Sequence, residues 1–308
     1  MLLFLDAALL DLTELAQREQ HGILTLLRLC HGPSFVARGA SRTYDFYHAG
    51  SPGATSTIVR PVLLRYTPDS PMGFVDLHSH VLYGVDDGAT DEVAAIAMLD
   101  GLRGLGITEQ CVTPHQRAGH YLPSGEAIDA ALAAVERLRR PDHPSLRLGA
   151  ENMWDDVFIQ RIAGDAIPCY RGSSAFLVEI PPPLIPPGMI DRLFRLRLKH
   201  KLPVLAHPER YQALWDDDDL ARALRRVCAF VVDLGAVGGF HGKRETRAAR
   251  HLLETGIACG VASDLHRVGD LQQAAAGLAW IDKKLGHAAV IRLFDHAPRA
   301  ILAGELPD

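Results

Sequence analysis

From Phe74 onward the chain alternates short apolar runs with longer stretches of helical period, and this rhythm restricts its fold more than any other feature. The runs are FVDL (74–77), TEQCVT (108–113), LRLGA (146–150), AFLVEI (175–180), PVLA (203–206), AFVVDL (229–234) and GVAS (260–263). Runs of that length, separated by helices, specify a parallel sheet with crossover helices. Thr90 or Asp91 caps a helix running to Gly104, with acidic residues in its first turn, and Ser124 caps another running to about Arg140. Further helices are expected over 187–199, 217–228, 243–255 and 270–285. The acidic run Asp216 to Asp219 reads as a solvated helix start. At 308 residues and 48% hydrophobic, the chain can bury a large core.

Residues 1–71 break this rhythm. They hold one amphipathic stretch over 8–29, then a turn-rich segment with little periodicity. The opening MLLFLDAALL carries Asp6 in its middle and no basic flank, so it reads poorly as a signal peptide. One expectation is that translation starts at or near Met72 and that 1–71 is mis-assigned upstream or disordered sequence; its rival is a helical docking element. No stretch approaches the roughly 20 apolar residues needed to span a bilayer, so no membrane insertion is expected. Five cysteines (Cys30, Cys111, Cys169, Cys228, Cys259) form no C-x-x-C pair, which points to reduced thiols in a cytoplasmic location. A formal charge of -5 gives no electrostatic reason to expect a nucleic-acid partner.

Fifteen histidines mean little until they are placed on the strand map. His78 and His80 follow the first run, His115 the second and Glu151 the third. Glu179 ends the fourth, His207 follows the fifth, and Asp264 and His266 follow the last. In a parallel barrel the C-terminal strand ends share one rim, where such folds build active sites. Taken singly, each residue has a plain explanation. A lone histidine can be a hydrogen-bonded loop residue, Asp86-Asp87-Gly88 a turn, and Glu151 or Glu179 a buried acid paired with arginine. Taken together, eight residues in register with the strands need eight independent excuses. His-x-His on an extended strand also puts two imidazoles on one face. Mixed imidazole and carboxylate ligands suit zinc, manganese or iron. Their number exceeds what one ion can use and implies two or three ions, a set suited to phosphoester hydrolysis.

His78-Ser-His80, Val85-Asp-Asp87-Gly88, Thr113-Pro-His115, Gly149-Ala-Glu151, Glu179, Ala206-His207-Pro-Glu-Arg210-Tyr211 and Ser263-Asp264-Leu-His266 together resemble the polymerase-and-histidinol-phosphatase (PHP) superfamily. The runs DLHSHVLYGVDDGA and AHPERY are similar to its bacterial tyrosine-protein phosphatases, which are encoded with capsule and exopolysaccharide genes. The likeness runs from about Gly73 to Glu305. It implies an α/β fold, a distorted (β/α)7 TIM-like barrel, holding two or three divalent ions, manganese first and iron or zinc as alternatives. It implies a phosphotyrosine-containing protein as substrate, the tyrosine-rich tail of a bacterial autokinase. The ligands it carries over are His78, His80, Asp87, His115, Glu151, Glu179, His207, Asp264 and His266. Asp87 and His266 are also expected to act in catalysis, with Arg210 as the phosphate-binding cation. Two positions depart from the pattern. Gln116 stands where a second histidine is often found, and the loop after His266 lacks an arginine that some members carry, leaving Arg267 as its substitute.

Other readings compete. Cys111 and Arg117 have the C-x5-R spacing of cysteine-dependent phosphatases, but VTPHQ between them has no glycine and a proline without an N–H to cradle phosphate. The same metal site could serve histidinol phosphate or another small phosphomonoester, or a nuclease-like phosphodiester reaction. A catalytically silent scaffold would show damaged ligands, and none is damaged here.

Overall fold

The computed structural model describes residues 73–181 and 185–308. The extension read at 1–71 lies outside the described residues. Within them the strands are β1 (Phe74–Asp76), β2 (Ile107–Val112), β3 (His115–Gln116), β4 (Ser145–Leu148), β5 (Glu151–Met153), β6 (Ala175–Glu179), β7 (Leu202–Ala206), β8 (Ala229–Asp233) and β9 (Gly260–Ala262). They pair in parallel as β1-β2-β4 and as β3-β5-β6-β7-β8-β9. Since β3 prolongs β2 and β5 prolongs β4, these segments occupy seven positions in chain order. The two ends meet where Ser79 pairs in parallel with Leu265. There His80 N donates to Leu265 O at 2.9 Å and Asp264 N to His78 O at 3.1 Å. The fold is thus the distorted β/α barrel expected from the sequence.

The distortion has a local cause. Pro114 has no N–H for the ladder, so β2 stops at Val112 and the chain restarts at His115. Thr113 N donates to Ser79 O at 2.8 Å, while Pro114 O accepts from Glu151 N at 3.1 Å. Gly149-Ala150 interrupts the next position in the same way.

Period-two alternation divides core from core. Leu177, Val204 and Ala229 stand side by side in register and face the barrel interior, with Val75, Leu77, Cys111 and Val231. Their neighbours Val178, Leu205 and Phe230 also stand in register and face outward under the helices. Each such side chain contributes about 1.5–3 kcal/mol when fully buried. The interior is packed with side chains, so chemistry is confined to its rims.

Side-chain caps open half of the described helices. Asp91 accepts from Ala94 N at 2.8 Å to start α1 (Glu92–Gly104), and Ser124 from Ala127 N at 3.2 Å to start α2 (Gly125–Leu138). Asp155 accepts from Phe158 N at 2.9 Å at the head of α3 (Asp156–Ala163), a helix the sequence reading missed. Next come α4 (Met189–Leu198), α5 (Asp218–Arg225) capped by Asp217, the short α6 (Leu234–Gly238), α7 (Lys243–Glu254) and α8 (Asp270–Leu285). Two more helices, α9 (His287–Ile291) and α10 (Ala297–Leu302), end the chain. Ile301 of α10 joins the interior core, and Arg299 donates to Gly73 O at 2.7 Å. This helix therefore closes the rim opposite the one built from the strand C-termini. No described helix is long and apolar enough to cross a membrane.

Candidate metal centre

The C-terminal strand ends gather the expected residues on one rim. His78 and His80 come from the segment after β1, His115 from β3, Glu151 from β5 and Glu179 from the last residue of β6. His207 follows β7, and Asp264 and His266 follow β9. His207 and Asp264 have φ of +34° and +49°, a left-handed backbone that non-glycine residues adopt at a cost of about 1–3 kcal/mol. Such strain persists where the surroundings hold it, and at His207 it turns the imidazole into the rim.

Glu151 is the hub. Its Oε1 lies 2.8 Å from His207 Nε2, and its Oε2 lies 2.9 Å from His115 Nδ1, 3.3 Å from His78 Nε2 and 3.4 Å from His80 Nε2. Asp264 Oδ1 lies 3.3 Å from His78 Nε2 and 3.6 Å from His80 Nε2. His78 Nε2 and His80 Nε2 stand 3.2 Å apart. Glu179 Oε1 is 3.5 Å from His115 Nδ1. Asp87 Oδ1 closes the outer side, 3.4 Å from His115 Nε2 and 3.7 Å from His266 Nε2. Every expected ligand is therefore brought together.

Most of these imidazoles spend one nitrogen on orientation and aim the other inward, the arrangement that fixes tautomer and direction in metal sites. His80 Nδ1 is 2.7 Å from Asp86 Oδ2, His266 Nδ1 is 2.9 Å from Asp264 O, and His207 Nδ1 is 3.3 Å from Tyr211 Oη. Tyr211 is itself tied down, since its hydroxyl accepts from Ile180 N and donates to Ala206 O, both at 3.1 Å.

Electrostatics give the centre a second signature. Burial would depress His80 and His115, but Asp86 and Glu151 raise the first to about 10, and Glu151 and Glu179 raise the second to about 11. Against its own burial, Glu151 is held well below the carboxylate range by His78, His115 and His207. Asp264 is likewise held low against burial, by His78 and Arg210. Burial and Arg210 lower His207, and burial and His80 lower His266. Positive charge on His80 and His115 thus balances the carboxylates, while His207 and His266 are biased toward their neutral forms. Even so, His115 Nδ1, Glu151 Oε2, Glu179 Oε1 and Asp264 Oδ1 are buried without a hydrogen-bond partner. Unpartnered buried acceptors are costly. Three such carboxylate oxygens set among the imidazoles, Glu151 Oε2, Glu179 Oε1 and Asp264 Oδ1, fit bound cations. The atoms group as His80-Asp87-His115-His266, His78-His80-Asp264, His78-Glu151-His207 and His115-Glu151-Glu179, each within 4.8 Å. Glu151 falls in two of these groups, as a carboxylate shared by two neighbouring ions would.

Beside the cluster opens a pocket of about 350 Å³, lined in part by Asp87, Asp264, His266, Arg210 and Arg267. Arg210 donates to Asp233 Oδ2 at 2.9 Å and also to Asp264 Oδ2. All three residues of this ion-pair network line the pocket. Asp86, Asp233 and His241 were not singled out from sequence. Asp86 was hidden as half of an apparent turn. Asp233 ends β8, inside the apolar run 229–234, the one run to which no ligand had been assigned.

Cys111 is fully buried in β2, and burial with the nearby Glu109 raises its thiol well above the usual range. It cannot serve as a nucleophile there. Gln116 is buried and structural, accepting from Arg161 Nη2 at 2.6 Å and donating to Pro123 O at 3.2 Å.

The sequence model of the capsular polysaccharide synthesis family CpsB/CapC matches residues 74–303. Tyrosine-protein phosphatase YwqE of Bacillus subtilis is 30% identical over 197 residues, 63% of this chain and 78% of that one. Tyrosine-protein phosphatase CpsB of Streptococcus pneumoniae is 26% identical over 244 residues, 75% of this chain and 99% of that one. A crystal structure from work on YwqE and CpsB, described as unique metal-dependent tyrosine phosphatases, superposes with a TM-score of 0.68 at 24% identity. The match covers 75% of this chain and 95% of that one.

Proposed function

This chain belongs to the CpsB/CapC family, and we propose that it is a metal-dependent protein-tyrosine phosphatase, a phosphoric monoester hydrolase acting on phosphotyrosine. The observation that carries the reading is the set of buried carboxylate oxygens without a hydrogen-bond partner on Glu151, Glu179 and Asp264, set among the imidazoles, with Asp264 also lining a pocket that holds Arg210. The ions would be held by His78, His80, Asp87, His115, Glu151, Glu179, His207, Asp264 and His266. Two or three divalent ions suit that set, manganese first, with iron or zinc compatible with the same donors. When bound, they lower the pKa of water from ~15.7 toward ~7 and neutralise charge on the phosphate oxygens.

The chain's own residues supply the rest. Arg210 presents a planar fork that matches two phosphate oxygens. Its carboxylate partners Asp233 and Asp264 hold it at the pocket wall before substrate arrives. Arg267, exposed on the same pocket, stands in for the arginine absent from the loop after His266. Asp87 and His266, on the outer side of the cluster, lie nearest the entering phosphate. The intended substrate is the tyrosine-rich tail of an autokinase in polysaccharide export, the partner the family resemblance implies.

The test uses the full chain and a phosphotyrosyl peptide. Phosphate release should stop on chelation and return with Mn²⁺. Release that persists after exhaustive chelation would defeat the metal mechanism. A peptide left intact while histidinol phosphate is hydrolysed would move the substrate to small phosphomonoesters.

A further inference from the structure

A proton donor for the departing tyrosyl oxygen has no assignment among the residues discussed so far. Phenols of pKa about 10 leave poorly as anions, so such a donor is worth roughly 10²–10⁴-fold in rate. Side chains of the cluster are poor candidates, because their nitrogens and oxygens converge on one another. The pocket offers one further imidazole. His241, in the turn after α6, shares the pocket with Asp87, Asp264 and His266.

Its setting is built. Asp233, buried at the end of β8, places Oδ2 3.1 Å from His241 Nδ1. Gly235 N fixes the other carboxylate oxygen, donating to Asp233 Oδ1 at 2.6 Å. The turn carrying His241 is bracketed by Gly239 and Gly242, with φ of +99° and +107°, and Phe240 N donates to Gly235 O at 3.0 Å. A Cβ at Gly235 would come 2.9 Å from His241 Nε2, so the lack of a side chain at 235 makes room for the ring. Among the described residues Nε2 has no hydrogen-bond partner. One carboxylate oxygen thus lies within ion-pair range of Nδ1 and Nε2 is left for a ligand, a placement from which an acid can orient a histidine as in acid–histidine hydrolase pairs. Arg210 ties the two halves together, because the same Nη2 reaches both Asp233 and the candidate ligand Asp264. Phe240, half exposed on the same pocket, offers an aromatic wall on the side where an aryl leaving group would lie.

We propose that His241, oriented by Asp233, protonates the tyrosyl oxygen as it leaves. This inference rests on the phosphatase reading above. Water oxygen bonds to phosphorus as the bond from phosphorus to the tyrosyl oxygen breaks. That bond's electron pair stays on the phenolic oxygen, which takes the proton from His241 Nε2. One proton of the attacking water passes to solvent, and His241 is reprotonated from solvent, so the products are tyrosine and hydrogen phosphate.

The test compares kcat/KM of the full-length Mn²⁺ protein with that of its His241→Asn and His241→Ala variants on two esters. Phenyl phosphate has a leaving group that needs a proton; dinitrophenyl phosphate releases an acidic phenol that does not. The loss on phenyl phosphate should exceed the loss on dinitrophenyl phosphate by about 100-fold or more, with bound metal per protein unchanged. Equal losses on both esters, or no loss on either, overturn the proposal. So does a fall in bound metal, which would assign His241 to holding the centre. A parent protein inactive on both esters defeats the phosphatase reading itself, and the proposal with it.

Discussion

Replacing Asp86 with asparagine removes one charge and almost no volume, so it isolates orientation of the metal centre from its ligands. Asp86 Oδ2 lies 2.7 Å from His80 Nδ1 and also accepts from His115 N at 3.1 Å, while Oδ1 accepts from Gly88 N at 3.0 Å. An amide has one oxygen. Whichever way it turns, its NH₂ group faces an N–H that the carboxylate had accepted. Losing a hydrogen bond to a charged group costs about 1.5–3 kcal/mol, which is roughly 10–100-fold in affinity at 1.4 kcal/mol per decade. Outer partners of metal-binding histidines show the same range when altered. One effect opposes the loss. Asp86 helps raise His80 to about 10, so removing it eases the release of the proton that an ion must displace. The lower end of the range is therefore expected near neutral pH. The assay strips parent and D86N of metal and follows phosphotyrosyl-peptide hydrolysis against free Mn²⁺. The half-saturating concentration should rise about tenfold or more, with the plateau within several-fold of the parent, since no group touching substrate is removed. Asp100→Asn, whose carboxylate pairs with Arg140 and His143 away from the site, serves as control. An unchanged midpoint, or a lost plateau without a midpoint shift, would refute the reasoning.

Three further outcomes follow from the same geometry. In chelator, His80 and His115 have folded values of about 10 and about 11, raised above the ordinary value of 6.5. Their stabilisation is fully present below about pH 6.5 and is lost as pH rises toward 10–11, so the stripped protein's Tm should fall from pH 7 to 10; a flat profile would count against these protonation states. Gly277→Ala places a Cβ 2.2 Å from Leu234 O, a backbone atom of α6 that cannot swing aside. Overpacking of this kind costs about 1–3 kcal/mol, so thermal melting should show a drop of about 2–4 °C for each of those kcal/mol, and an unchanged Tm would refute the close α6–α8 approach. Cys111→Ala should leave kcat/KM on the phosphotyrosyl peptide within about twofold, because the thiol is buried in β2 and removed from the pocket; a loss beyond tenfold would revive the cysteine mechanism.

Much of the barrel could be read from local signals. Asp91, Ser124 and Asp217 mark helix starts because a short acceptor side chain satisfies an N–H that the helix leaves free; Asp91 and Ser124 cap where a cap was expected, and Asp217, read as the first residue of its helix, is its cap. Three kinds of element escaped. The helix after Asp155 is only eight residues long, too short for its period to show. The short α6 follows β8 with no intervening turn, and glycines on both sides make it look like a loop. The short segments β3 and β5 that restart the ladder after Thr113-Pro114 and Gly149-Ala150 also escaped, because the apolar runs end at 113 and 150 and hydrophobicity reports burial, not whether a ladder hydrogen bond is made. Asp233 and His241 escaped for a different reason. A single strand-end aspartate and a lone histidine eight residues later have no spacing rule to join them, and only the tertiary turn brings them together.

Parity along the strands explains which ligands could be seen and which could not. Ala175 and Leu177 face the interior, and so does the next residue of that parity, Glu179. Ala229 and Val231 lead likewise to Asp233, and Ala262 leads to Asp264. These acids are the top layer of the interior, polar where the barrel meets solvent. Glu151 joins the same layer because it stands in register with Leu177 on one side and His115 on the other. That pairing forms only after both strands have broken and restarted, so counting in twos along the sequence does not reach it. His207 breaks parity outright. Ala206 already faces the interior, and an extended chain would send His207 outward under the helices. Its φ of +34° reverses the backbone before Pro208 and swings the imidazole to within 2.8 Å of Glu151. The strain of that turn places the fifth strand's histidine in the ring, and with an extended backbone at 207 Glu151 Oε1 would lose its partner.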